Sequence, residues 1–202
     1  METIRGKTSL DLDLNGFTTR LTNYNRVILD LGTGDGKFAF HYARAFPRHF
    51  VIGVDACREN LREHSRAKLP NALFIIASAQ DLPNELNGLV SHITINFPWG
   101  SLLESLLAND PMLMCRLESI SSSFTQIDVR LNGGALAEQG WALEAGAGAG
   151  QIYENLIHAG WQLKTPVMMN ANALRDFPST WAKRLAFGRD PRAMSMSGYL
   201  SQ

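Results

Sequence analysis

The sequence predicts an α/β fold, a mostly parallel sheet with helices on both faces. Three observations point to it. Short apolar runs recur at Val27–Leu31, Phe50–Val54, Leu73–Ala77 and Ile93–Ile95, each suited to a buried strand. Stretches of helical spacing lie between them, and strands alternating with helices at this rhythm build a parallel sheet. The first run feeds directly into Gly32-Thr33-Gly34-Asp35-Gly36, and a helical pattern follows from Lys37. Strand, glycine turn and helix are the parts of a nucleotide-type cradle, with unpaired helix N–H groups facing a ligand.

Taken in order, Thr3 to Leu14 alternate loosely and suit a small hairpin, and Gly16 to Tyr24 suit a short helix. Phe38, Tyr42 and Phe46 share one face of a helix that stops at Pro47. The second strand closes on Asp55, and a helix is expected from about Arg58 to Lys68, broken by Pro70-Asn71. The fourth strand ends in Asn96-Phe97-Pro98-Trp99-Gly100. Leu102, Leu103, Leu106 and Leu107 mark one helix; Leu113, Leu117 and Ile120 mark another. Phe124 to Leu131 is a fifth strand. The tract Ala145 to Gly150 suits a flexible loop before a helix of Ile152 to Ala159, capped by Gly160. Trp161–Met169 and Met194–Leu200 complete seven strands.

At 202 residues the chain suits one domain, 1–202, with an N-terminal extension of about 1–24 and a core from about 25. Lys plus Arg equals Asp plus Glu, 19 each, which argues against coating nucleic acid by charge alone. Cys57 and Cys115 lie far apart without metal-type spacing, so free thiols in a reducing compartment and no metal are expected. The amino terminus has no apolar signal region, and no stretch approaches the roughly 20 apolar residues of a membrane span. A cytoplasmic protein, a monomer and no membrane partner are expected.

Asp55, nineteen residues after Gly36, sits where an acid can accept both hydroxyls of a ribose. That pair alone does not choose between NAD and S-adenosylmethionine. The turn does lean: Gly32-x-Gly34-x-Gly36 preceded by Asp30 resembles the first motif of S-adenosylmethionine-dependent methyltransferases, where the acid faces the methionine ammonium. The plainer alternative makes Asp30 and Asp55 strand-end caps. Asn96-Phe97-Pro98-Trp99 resembles the Asn/Asp-Pro-Pro-aromatic turn of base-nitrogen methyltransferases, with Phe97 in place of the first proline. Ser179 to Arg189 gathers Lys183, Arg184 and Arg189 around Trp181, with Arg192 just beyond. Arginines around an aromatic ring suit a stacked base with held phosphates; the alternative is a solvated basic helix face.

Asp30-Leu31-Gly32-Thr33-Gly34-Asp35-Gly36, Phe97-Pro98-Trp99-Gly100-Ser101-Leu102-Leu103-Glu104, Trp181 to Arg189 and the Met196-Ser197-Gly198 ending are together similar to the aminoglycoside-resistance 16S rRNA (adenine-1408-N1) methyltransferases. The similarity runs over nearly the whole chain in the same order. It implies a Rossmann-like, seven-stranded S-adenosylmethionine-dependent methyltransferase fold acting on the decoding-site adenine of the assembled small ribosomal subunit. It further implies that Trp99 and Trp181, with Phe97 and Pro98 in the turn, hold the flipped base. Asp30, Gly32, Thr33, Gly34, Gly36, Asp55, Ala79, Gln80, Ser179 and Thr180 would hold the cofactor, leaving S-adenosylhomocysteine as product. Lys183, Arg184, Arg189, Arg192, Arg62 and Arg66 would engage rRNA.

Three departures stand out. Gln80 occupies a position where the family commonly has an acid, the segment 58–68 is short, and Arg192 is displaced by Asp190-Pro191. They leave two alternatives: transfer to another RNA or a small planar amine, or a cofactor-binding module that docks on RNA without efficient transfer.

Overall fold

The computed structural model describes residues 1–143, 147–188 and 191–201. Ten strands among them form one mixed sheet: β1 (Glu2–Arg5), β2 (Thr8–Asp11), β3 (Arg26–Leu31), β4 (His49–Asp55), β5 (Ala72–Ile76), β6 (Val90–Asn96), β7 (Ser121–Asn132), β8 (Gln162–Leu163), β9 (Val167–Met168) and β10 (Ala193–Ser201). Their order is β2-β1-β5-β4-β3-β6-β7-β10-β8, and β9 also pairs with β10. The five central strands, β5 to β7 in that order, are parallel. The flanks are antiparallel.

The sheet thus holds the seven expected strands and three more. Two come from the hairpin, whose β1 pairs with β5 and extends the edge. The third arises because the expected strand 161–169 is split around Pro166, which has no N–H to give to a ladder.

Helices α1 (Leu14–Leu21), α2 (Lys37–Ala45), α3 (Arg58–Leu61), α4 (Gly100–Leu107), α5 (Pro111–Ile120), α6 (Gly133–Glu138), α7 (Gly148–His158), α8 (Ala171–Asp176) and α9 (Thr180–Phe187) surround it. On one face Leu29, Ile93, Ile127 and Met194 pack with leucines of α4 and α5 and with Ile152 and Leu156 of α7. On the other, Ile28, Val51 and Phe74 pack with Ala39 and Ala43 of α2 and Leu61 of α3. A small third cluster joins Phe97, Leu174 of α8, Ala182 and Leu185 of α9, and Ala193.

Four local expectations change for local reasons. The first helix begins at Leu14, because the Asp13 carboxylate accepts the Gly16 N–H at 2.7 Å and caps it there. The helix expected over 58–68 is only the single turn α3 and a 3₁₀ turn, His64–Arg66. Ser65 is drawn inward, where its hydroxyl accepts the Gly6 N–H at 2.8 Å, and docking on the hairpin replaces further helical turns. Gly148 to Gly150 are helical, not loop: a Cβ at Gly148 would strike Leu136 at 2.7 Å, so the small residues serve close packing. Residues 144–146 of that tract lie outside the described residues. Finally, α6 and α8 were not expected, although Asn132 and Asn170 cap them by accepting the N–H groups of Gly134 and Ala173.

Candidate cofactor and base-binding site

A cleft of about 470 Å³ opens at the carboxyl ends of β3, β4 and β6. Strand β3 lies between β4 and β6, so the cleft sits where chain order reverses across the sheet, the usual ligand position in such folds.

Its back wall is the turn after β3. Gly34 has φ +58°, and a Cβ there would meet nothing within 4 Å, so its backbone faces open cleft. Gly36 acts differently. It has φ +77° at the start of α2, and a Cβ would strike the Phe74 ring at 2.5 Å. Gly36 therefore lets the turn close on β5 and does not line the cleft.

Asp30 forms the floor, 1% exposed. One carboxylate oxygen accepts the Thr33 hydroxyl; the other accepts the Thr94 hydroxyl and the Asn96 amide, both at 2.9 Å. Burial pushes its pKa up from 3.8 to about 6, against the hydrogen bonds from Thr33, Thr94 and Asn96 and the charge of Arg130. A buried acid costly to ionise is suited to a cationic ligand group.

Asp55 ends β4 and lines the same cleft. Its carboxylate accepts the N–H of Gly34 at 2.8 Å and of Cys57 at 2.9 Å, tying the glycine turn to the next loop. Oδ1 also accepts the Asn60 amide at 3.3 Å, so the lone pair left for a further donor such as a hydroxyl is on Oδ2, which accepts only Gly34. Thr33, Gly32 and Ala79 also line the cleft. Gln80 does not: its amide donates to the Ser105 hydroxyl at 2.7 Å, at α4.

The mouth is aromatic. Trp99 precedes α4 and Trp181 lies in the first turn of α9, and their rings stack with centroids 5.1 Å apart and planes 22° apart. They are 38% and 36% exposed. Phe97 lines the cleft, but its ring is buried edge-on against Phe177, centroids 5.8 Å apart. It holds φ +55°, a costly conformation for a bulky residue and one that recurs at functional turns. Pro98, Ser179 and Thr180 complete this side. The Thr180 hydroxyl donates to Asp35 at 2.6 Å, fastening α9 to the glycine turn.

The basic residues divide. Arg184 lines the cleft with its guanidinium 5.0 Å from the Trp181 ring centre, and Lys183 beside it is exposed. Arg66 is exposed; Arg62 is paired with Glu59 at 2.9 Å, and Arg58 with Glu2. Arg192 leads into β10, its carbonyl accepting the Gly133 N–H at 3.0 Å. Arg189 lies outside the described residues.

Four residues that complete the site carry no role from the sequence: Asp35 and Asn96, which sit within the motifs, and Thr94 and Arg130, which sit outside them. Period-2 polarity in Gln126-x-Asp128-x-Arg130 was the available signal for Arg130, since it marks one polar face of β7. Among the described residues no group of His, Cys, Asp and Glu is placed to hold a metal ion, and no helix is long and apolar enough to cross a membrane.

Fold and cleft define a methyltransferase-type α/β protein, and solved structures agree. The 16S rRNA methyltransferase KamB superposes with a TM-score of 0.88 at 28% identity, covering 100% of both chains. A structure described only as an antibiotic-related methyltransferase gives 0.82 at 28% identity over 98% of each chain. The family model NpmA, 16S rRNA (adenine(1408)-N(1))-methyltransferase, matches residues 2–200, and the chain belongs to that family. An Escherichia coli 16S rRNA (adenine(1408)-N(1))-methyltransferase is 29% identical over 220 residues, 98% of each chain. Its Streptoalloteichus hindustanus counterpart is 30% identical over 206 residues, 94% of each.

Proposed function

We propose that this chain, acting as one domain, transfers a methyl group from S-adenosylmethionine to N1 of adenine-1408 of 16S rRNA in the assembled small ribosomal subunit, giving aminoglycoside resistance. The observation that carries this reading is the pair of exposed, parallel indole rings at the mouth of a cleft whose floor is a buried acid.

The cleft fits the cofactor. Asp30 faces the position of a methionine ammonium, Asp55 Oδ2 has a lone pair for a ribose hydroxyl and Oδ1 could take a second by giving up the long Asn60 bond, and the open space beyond Gly34 lets the backbone approach closely. Bound there, S-adenosylmethionine supplies an electrophilic sulfonium methyl and leaves as the thioether. Adenine N1 is unprotonated at neutral pH, so its lone pair forms the new N–CH₃ bond as the S–CH₃ bond breaks, and no general base is required. The protein's part is placement: Trp99 and Trp181 grip the two faces of a base flipped out of the rRNA. The charge that moves onto the base lies between two indole faces, where cation–π attraction contributes ~1–2 kcal/mol. Lys183, Arg184, Arg192 and Arg66 supply local charge for phosphates, and Arg189 is read in the same role.

Charge neutrality overall restricts the substrate. Phosphate attraction alone grows with the number of cations engaged, and here 19 basic residues are matched by 19 acidic ones. Recognition therefore rests on the shape of folded rRNA and on capture of one base. Incubating small subunits, or deproteinised 16S rRNA, with the protein and S-adenosylmethionine, then mapping methylated adenine by mass spectrometry, tests this. Methylation at N1 of adenine-1408 in subunits, with little in naked rRNA, is expected. Equal rates on both, or a preference for tRNA, would overturn it.

A further inference from the structure

The deepest part of the site is wired to a residue outside the cleft. Strands β3, β6 and β7 are neighbours, and Asp30 is level with Thr94, and Asn96 with Arg130. The Arg130 guanidinium donates to the Asn96 side-chain carbonyl at 2.9 Å, and the Asn96 amide donates in turn to Asp30 at 2.9 Å. The Arg130 backbone carbonyl accepts the Phe97 N–H at 2.7 Å, holding the turn that leads to Trp99. The same guanidinium lies 4.5 Å from the centre of the Phe177 ring, on the segment that leads to Trp181. On its far side Arg130 approaches Asp128 at 3.6 Å, and Asp128 also pairs with His92 at 3.2 Å.

We propose that Arg130 is the positioning residue of the reaction, one side chain that orients the cofactor floor through Asn96, the residue that opens the Trp99 turn, and the segment leading to Trp181 through Phe177. This rests on the reading of Asp30 as the cofactor's ammonium partner and of Trp99 and Trp181 as the base clamp. Arginine suits the task because its planar fork can give one N–H to Asn96 while its face lies on an aromatic ring. Lysine, a point charge on a flexible stem, cannot do both. Asp128 and His92 anchor the far side. Burial works to raise the Asp128 carboxyl, but the His92 hydrogen bond and the Arg130 charge outweigh it and hold it below the ordinary range.

The electrostatic consequence separates positioning from mere packing. Facing Asp30 are uncharged Thr33 on its own turn, uncharged Thr94 and Asn96 on β6, and the charge of Arg130 on β7. Asp35 and Asp55, from the glycine turn and β4, line the same cleft. Arg130 favours ionised Asp30, so removing its charge makes the acid protonate at higher pH.

The test compares wild type, Arg130→Met, Arg130→Lys and Asp30→Asn in S-adenosylmethionine calorimetry from pH 5 to 7, and in methyl transfer to small subunits at saturating cofactor. In wild type, affinity should fall as pH drops through about 6, the pH at which Asp30 protonates. In Arg130→Met that midpoint should move up, with kcat reduced at least about tenfold by misplacement. Arg130→Lys should restore the midpoint but not kcat. Asp30→Asn should flatten the profile, which assigns the titration to Asp30.

A folded Arg130→Met protein with wild-type midpoint and kcat overturns the proposal. So does full kcat in Arg130→Lys, which decides alone should the methionine variant not fold. A pH profile that survives Asp30→Asn breaks the link to Asp30. Absence of cofactor binding by wild type would instead sink the functional reading on which the proposal rests.

Discussion

The floor of the cleft and its mouth are built in opposite ways. Asp30 is 1% exposed and accepts hydrogen bonds from three side chains. Trp99 and Trp181, more than a third exposed, stack on each other, with Arg184 over the Trp181 ring. The floor is thus complete without a ligand, whereas the mouth is occupied by itself. A base between the rings needs two contacts of about 3.5 Å, so the centroids must part from 5.1 Å to about 7 Å. The floor rides on adjacent β-strands and the mouth on a turn and a short helix, the element type that can move. With the roles proposed for floor and mouth, that contrast means preorganised cofactor binding and adjustable base capture.

The sharpest way to break the contrast is Trp181→Ala. Methyl transfer to small subunits should fall at least about 100-fold while cofactor affinity stays within about twofold, because stacking sets the reacting geometry. Calorimetry beside a transfer assay checks both halves, and a comparable loss of affinity would merge the two regions into one.

Asp30→Asn probes the other side. For an acid raised from 3.8 to about 6, the folded state holds the extra proton, so stability is present at low pH and lost as pH rises between those values. The shift, roughly two units, corresponds to a burial cost on the order of 3 kcal/mol at pH 8. The neutral amide escapes that cost, and the Thr33 hydroxyl can turn from donor to acceptor. Denaturant unfolding at pH 8 should show the variant more stable by about 1–3 kcal/mol, with cofactor affinity lower by about 2 kcal/mol. A destabilised variant would mean that Asp30 is a structural residue.

Two smaller effects sharpen the picture. Stacked indoles couple their transitions, so wild type should show an exciton couplet in far-ultraviolet circular dichroism, and Trp99→Phe should remove it without changing helix content. At the rRNA surface, four or five engaged cations would give a log–log salt slope near −4 for subunit binding. Arg66→Ala should reduce its magnitude by about 1, measured by filter binding across salt. An unchanged slope would remove Arg66 from the interface.

Legibility followed the range of the interactions. The apolar runs and the glycine turn specified the parallel core, and the two tryptophan motifs specified the mouth, because each is written in neighbouring residues. The expected helix over 58–68 failed on one distant contact, Ser65 with Gly6, which local periodicity cannot carry. The tract before α7 looked loose by composition, yet Gly148 is required by Leu136 across the fold. Gln80 sits beside Ala79 in the chain but turns to Ser105, a partner set by the packing of α4. Arg130 showed in the sequence only as part of a polar strand face; its place beside the site comes from strand register, which sets residue 30 level with 94 and 96 level with 130.

The self-stacked pair of indoles also bears on which adenines can enter at all. Free adenine nucleotides are abundant wherever ribosomes work, and the cofactor itself carries one. Separating two stacked rings forfeits about 0.5–1.5 kcal/mol before any new contact forms. A lone nucleotide must meet that cost from its own stacking, whereas an adenine anchored in a docked ribosomal subunit arrives with the surrounding rRNA contacts already made. The closed rings therefore handicap unattached purines roughly two- to tenfold, and millimolar AMP should inhibit methylation of subunits only weakly.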